Sequence, residues 1–156
     1  MVSPLVALMQ DQVAALRLNG VAAETINSGR DRNDNIESWK KVKAGIAPIL
    51  YMAPERLMSE RMLVALRELP VKLFAIDEAH CISQWGPSFR PEYEQLTRLR
   101  TLFPGTPIAA LTATADKVTP EATVAPLLHP HAPLFATGPA RPTPPPAAAR
   151  THDRRR

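Results

Sequence analysis

Cysteine is nearly missing from this chain. Cys81 stands alone among 156 residues, which excludes an internal disulfide and any multi-cysteine zinc site. It is expected to pack as a small apolar side chain. No apolar run reaches the roughly 20 residues that span a bilayer, and the N-terminus lacks a signal-peptide pattern. No membrane partner and a cytoplasmic residence are therefore expected. Internal repeats are absent as well. Aromatic residues make up only 5% of the chain, yet Trp85, Phe89 and Tyr93 fall within one short stretch. Hydrophobic residues at 45% and charged residues at 22% fit a soluble globular protein with one ordinary core. The net charge of +4 suits a polyanionic partner without requiring one, because part of the excess comes from Arg154, Arg155 and Arg156.

Strand-like and helix-like segments alternate. Met1-Val2 read as the last residues of a strand, and Ser3-Pro4 as a helix start. Leu5, Leu8, Met9, Val13 and Leu16 recur at helical spacing before the Asn19-Gly20 stop. A short strand is expected over Val21–Ile26, a polar turn over Asn27–Asn35, and a helix over Ile36–Lys43 ended by Gly45. Ile46–Met52 reads as a strand. A single helix should run from Pro54 through Leu57, Met62, Leu66 and Leu69 to Pro70. Val71–Ile76 and Ile108–Leu111 are strand candidates, separated by a helix opened at Pro91 that carries Tyr93, Leu96, Leu99 and Leu102. This alternation predicts an α/β fold with a parallel sheet. Prolines become dense after Val118, and Gly138–Arg150 is almost entirely Pro, Ala, Thr and Arg. Such a tail buries too little apolar surface to offset its ordering entropy, so residues 119–156 are expected to be disordered.

The chemistry concentrates where the strand Val71–Ile76 stops. Asp77 and Glu78 follow it directly, and ligands of open α/β sheets bind beyond the carboxyl ends of the strands. One carboxylate, Asp77, suits a Mg²⁺ that keeps several waters and bridges phosphates. Its neighbour Glu78 suits polarisation of an attacking water. An acidic pair alone is a weak signal, since such pairs often only cap helices or face solvent. The apolar strand before it and His80 after it strengthen the reading. Thr112 and Thr114, ending the next strand, are the natural relay partners for His80. Trp85, Phe89 and Arg90 lie in a loop punctuated by Gly86, Pro87 and Pro91. They read either as core anchors or as a surface that stacks bases and holds a phosphate. Each stacked base contributes about 1–3 kcal/mol.

Together these residues resemble the RecQ family of ATP-dependent DNA helicases. Asp77-Glu-Ala-His80 is similar to that family's nucleotide-site box, and Cys81–Tyr93 to its aromatic-rich loop. Ser3–Gln12 resembles its motif Ia, Tyr51–Leu57 its backbone-contacting motif, and Leu111–Ala115 its motif III. The resemblance covers roughly residues 1–118 and implies part of the family's first RecA-like, P-loop NTPase domain. It implies ATP and Mg²⁺ as cofactors. Asp77 would hold the metal through water, with Glu78 as general base and Thr112 and Thr114 near the nucleotide. Gln84, Trp85, Phe89 and Arg90 would sense single-stranded DNA, while Ser3 and Pro54-Glu55-Arg56 would touch the DNA backbone. Family members translocate 3′ to 5′ and unwind duplexes and forks.

Departures from the family pattern shape the expectation. The phosphate-cradling G-x-x-x-x-G-K-[ST] sequence does not occur in this chain. Neither does a second RecA-like domain, so a truncated, inactive piece is expected. Pro87-Ser88 stand where the family usually has His-Asp, replacing a polar coupling element with a rigid one. A non-catalytic DNA-binding remnant is the alternative, and a DEAH-type RNA helicase piece fits the Ile82-Ser-Gln-Trp-Gly loop poorly.

Overall fold

The computed structural model describes residues 1–83, 89–112, 124–128, 132, 133 and 135. Its centre is a parallel sheet. β1 (Ala23–Ile26) pairs with β2 (Ile49–Met52), with Ala23 opposite Ile49 and Ile26 opposite Met52. β3 (Phe74–Ile76) pairs with β4 (Ile108–Ala110), with Phe74 opposite Ile108. Val2 joins the two pairs, bridging Met52 on one side and Ile76 on the other. Its N–H donates to the Ala75 carbonyl at 2.7 Å, and its own carbonyl accepts from Asp77 N–H at 2.8 Å. The lateral order is therefore β1, β2, the Met1–Val2 segment, β3, β4. The expected strand character of Met1-Val2 is met. Because all strands run the same way, the segments after Ile26, Met52, Ile76 and Ala110 gather at one edge of the sheet.

Helices cover the connections. α1 (Val6–Leu18) buries Met9 and Val13 against Ala23, Tyr51 and Ala53. Gly20 ends it at φ +77, with its N–H donating to Arg17 O and Val21 N–H to Leu16 O. Gly45, at φ +72, closes α2 (Arg32–Lys43) in the same way, through Val42 O and Lys41 O. Both are left-handed helix ends that glycine adopts without a Cβ penalty. On the other face, α4 (Glu60–Arg67) supplies Met62, Leu63 and Leu66 to the main core, which includes Met52, Phe74, Ile76, Tyr93, Leu96 and Leu99. Phe74 and Phe103 meet edge to face, with centroids 5.1 Å apart.

A buried polar clip ties α1, β1 and α2 together. Glu24 is 5% exposed. Its carboxylate accepts from Ser38 Oγ at 2.7 Å, from Lys41 Nζ at 3.1 Å and from Arg17 Nη2 at 2.8 Å. Burial alone would raise its ionisation range. The Ser38 and Lys41 hydrogen bonds and the two cationic charges outweigh it, so Glu24 lies below the usual carboxylate range.

Several element bounds differ from expectation for local reasons. α2 begins at Arg32 rather than Ile36, because the Asp31 carboxylate caps it by accepting from Asn33 N–H at 2.8 Å. The single helix expected from Pro54 is two: α3 (Pro54–Leu57) and α4. Ser59 breaks it, its hydroxyl donating to Arg56 O at 2.9 Å while its carbonyl accepts from Met62 and Leu63. The helix opened at Pro91 is α5 (Pro91–Glu94), a 3₁₀ turn over Gln95–Arg98, and α6 (Leu99–Leu102). Thr97 tightens its middle by donating to Glu94 O at 2.7 Å. The expected tail starts too early. Val124 and Leu127 are buried in the main core, and Leu128 packs against it, so this apolar turn belongs to the folded unit. Gly138–Arg150 lie outside the described residues.

Candidate nucleotide and nucleic-acid site

β3 ends in the acid turn. Asp77 N–H is taken by Val2 O, and Asp77 Oδ1 accepts from Glu78 N–H at 3.0 Å. Its second carboxylate oxygen has no partner among the described residues. Glu78 sits in the left-handed region at φ 49 and ψ 41, the one non-glycine residue with positive φ among those described. Such a backbone costs on the order of 1–3 kcal/mol and persists where the surroundings impose it. Here they do. Ala79 N–H donates to Leu111 O at 2.9 Å, which anchors the turn to the segment after β4. Ala79 and Cys81 are buried in the 3₁₀ turn Ala79–Ile82.

The turn brings three polar side chains together. His80 Nδ1 lies 3.1 Å from Glu78 Oε2 and 3.0 Å from Thr112 Oγ1. A carboxylate can only accept, so a proton on Nδ1 is favoured and is shared between the two oxygens. Thr112 thus reaches the acid turn. Thr114 lies outside the described residues. Cys81 is buried, as expected. Burial pushes its thiol up, aided by Glu78 and Asp77 and opposed by Arg90, which keeps it protonated and unreactive near neutrality.

The end of the aromatic loop and the start of α5 are fastened to the same turn. Arg90 N–H donates to Cys81 O at 2.9 Å, and the Tyr93 hydroxyl donates to the Asp77 carbonyl at 2.9 Å. Tyr93 is fully buried, and burial is the main cause that drives its phenol far above the ordinary range. Phe89 is half-buried and Arg90 exposed. Gln84 and Trp85 lie outside the described residues, as do Pro87 and Ser88. Tyr51 borders the acids from β2, its phenol pushed up by burial and then by the Asp77 charge. The sequence marked Tyr93 as a helix-face residue and as the end of the aromatic-rich stretch, without a role of its own in the site. Its hydroxyl, which a core position does not need, was the signal of a further role.

At the same sheet edge, a cleft of about 360 Å³ opens between the loop after β1 and the start of α3. Asn27, Ser28 and Asn35 form one side, with Glu55, Arg56 and Ser59 on the other and Val6 and Ala53 between. Glu55 and Arg56 are exposed, and the Arg56 guanidinium makes no ion pair with any described residue. Two expected contacts are not presented this way. Ser3 is fully buried with its hydroxyl unpartnered among the described residues, because its backbone is drawn into the sheet by Met52 O. Pro54 is buried as the first residue of α3. Asn27, Ser28 and Asn35 were read only as a polar turn.

No group of three or more His, Cys, Asp or Glu side chains able to enclose a metal occurs among the described residues. No helix among them is long and apolar enough to cross a membrane.

The model of the DEAD/DEAH box helicase family matches residues 1–122. The chain is 46% identical over 118 residues to the ATP-dependent DNA helicase RecQ of Pasteurella multocida (strain Pm70), covering 76% of this chain and 19% of that protein. It is 46% identical over 121 residues to the RecQ helicase of Bacillus subtilis (strain 168), covering 77% and 20%. To the ATP-dependent DNA helicase Q-like 2 of Arabidopsis thaliana it is 41% identical over 123 residues, covering 74% and 17%. The chain thus spans about a fifth of the length of the curated relatives it matches. Its parallel sheet, its Asp-Glu-Ala-His turn and these likenesses agree: the chain belongs to the DEAD/DEAH box helicases, and within them to the RecQ family.

Proposed function

We propose that this chain carries the water-activating and DNA-sensing parts of an ATP-dependent DNA helicase of RecQ type, acting 3′ to 5′ in the cytoplasm or on the nucleoid. Residues 1–118 form its partial first RecA-like domain, extended by the turn at Val124–Leu128. The observation that carries the reading is the position of His80 Nδ1, between the Glu78 carboxylate and the Thr112 hydroxyl.

The acid turn suits Mg²⁺ and ATP. Asp77 has one oxygen uncommitted among the described residues, and a magnesium ion that keeps its waters needs no more than one or two carboxylates beside the phosphates. When bound, Mg²⁺ neutralises charge on the phosphate oxygens. Glu78 then takes a proton from the attacking water at its carboxylate, with His80 fixing the orientation of that carboxylate. Thr112 links His80 to the segment after β4, and Thr114, two residues later in the sequence, completes the relay. Gln84, Trp85, Phe89 and Arg90 receive single-stranded DNA. The attachment of Arg90 and Tyr93 to the acid turn supports the idea that their occupancy is felt there. Glu55 and Arg56 border the DNA backbone.

The sequence holds no lysine-bearing phosphate cradle, so its own affinity for the triphosphate is weak. This favours a second reading, a non-catalytic DNA-binding piece. Phosphate release by the purified chain with and without oligothymidylate separates the two. DNA-stimulated release that disappears in Glu78→Gln supports the helicase reading. Strand binding without any release leaves the second.

A further inference from the structure

We infer that Tyr51 is a positioning residue of the acid turn, its phenol hydroxyl steadying the Asp77 carboxylate from the α1 face of the sheet. This rests on the reading that Asp77 holds the metal. Sheet register puts the two side chains on one face. Val2 bridges Met52 and Ile76, and all three belong to the main core. Side chains alternate along a strand, so Met1 and Ser3, Tyr51 and Ala53, and Ala75 and Asp77 take the other face. Met1, Tyr51 and Ala53 accordingly pack with Met9 and Val13 of α1. Ser3 lies between Ala53 and Asp77 in one row of that face, with Tyr51 in the row beneath. The small side chains of Ala53, Ser3 and Ala75 leave the phenol room at this corner. Burial first and then the Asp77 charge push that phenol up, so the carboxylate is felt there.

The hydrogen-bonding groups on this face are unspent. Tyr51 is 8% exposed, and its hydroxyl has no partner among the described residues. A buried tyrosine hydroxyl ordinarily has one. Ser3 Oγ, fully buried in the position next to Asp77, is likewise unpartnered among them. Asp77 accepts one bond at Oδ1, from Glu78 N–H, and its second oxygen accepts none among the described residues. A phenol donates and a carboxylate accepts, either directly or across one water. A donor on this side narrows the orientations of a carboxylate otherwise held by a single bond from the neighbouring residue. Asp77 is then fixed from both faces of the sheet. Tyr93 holds its carbonyl from the main core, and Tyr51 its carboxylate from beneath α1.

Manganese(II) alone, titrated into the full chain and followed by the relaxation of water protons, tests this without any hydrolysis. Tyr51→Phe lowers the Mn²⁺ affinity about three- to tenfold, the range of one hydrogen bond, while the unfolding midpoint does not fall. Added to Asp77→Asn, it costs no further affinity, because the phenol acts through that carboxylate. Unaltered affinity in Tyr51→Phe overturns the inference. So does a loss that comes with a lowered midpoint, since the hydroxyl would then be only structural, or a further loss in the Asp77→Asn background. Asp77→Asn by itself tells this failure from that of the metal reading. If it binds Mn²⁺ as well as the unaltered chain does, or if neither binds it, Asp77 does not hold the metal and both readings fall.

Discussion

Glu78 is where backbone geometry and chemistry coincide. Its left-handed φ of 49 is imposed by the Ala79–Leu111 bond and by the buried Ala79 and Cys81 that follow. An alanine at this position keeps the strain, and a glycine relieves it. Glu78→Gly is therefore expected to be more stable than Glu78→Ala by about 1–2 kcal/mol in denaturant unfolding, the reverse of the usual order. Equal stability would mean that the turn relaxes. Glu24 gives a second residue-scale test, through pH. Its folded-state ionisation lies below the ordinary range, so the unfolded chain binds the proton first as pH falls. The stabilisation by Glu24 is complete above about pH 4.3, the ordinary glutamate value, and is lost as pH drops through the lower folded value. The stability gap between the unaltered chain and Glu24→Gln should stay constant from pH 7 to 5 and narrow below about pH 4.3. A gap that widens on acidification would show that the Arg17 and Lys41 contacts do not hold in solution.

Elements were legible where punctuation is covalent and obscure where it is a single hydrogen bond. Gly20 and Gly45 announce helix ends because only glycine enters the left-handed region without cost. Nothing lies within 4 Å of the Cβ position at Gly45, so Gly45→Ala meets no clash and pays only the backbone penalty. It should destabilise the chain by about 1–2 kcal/mol, visible as a lowered unfolding midpoint. An unchanged midpoint would mean that α2 frays before Gly45 is felt. The break at Ser59 was not legible, since Pro54 to Leu69 keeps a helical apolar pattern throughout. The Ser59 hydroxyl and N–H, both directed at Arg56 O, divide it. The start of α2 was hidden likewise, because Asp31 reads equally well as a turn residue or a cap.

Across the whole molecule, the parallel order brings one edge of the sheet into use. The acid turn, Thr112 and the residues of the cleft all follow strand ends, as residue pattern alone anticipates for such sheets. What pattern could not supply is how the parts are joined. Ser3 carried the expected contact in sequence but is folded inward, while Ser28 stands open at the cleft. Tyr93 read as core and is core, yet its hydroxyl fastens α5 to the carbonyl of Asp77. With Arg90 N–H bound to Cys81 O, Arg90 and Tyr93 are both tied to the segment that carries the acids. By this fastening, the loop proposed to receive DNA and the acid turn act as one mechanical unit. The His80 ring resonances of the isotopically labelled chain, assigned with His80→Asn and followed during oligothymidylate titration, report on it most directly. They are expected to shift with strand binding, and the shift to be lost in Phe89→Ala and Arg90→Ala. Saturated binding with His80 unmoved would contradict it.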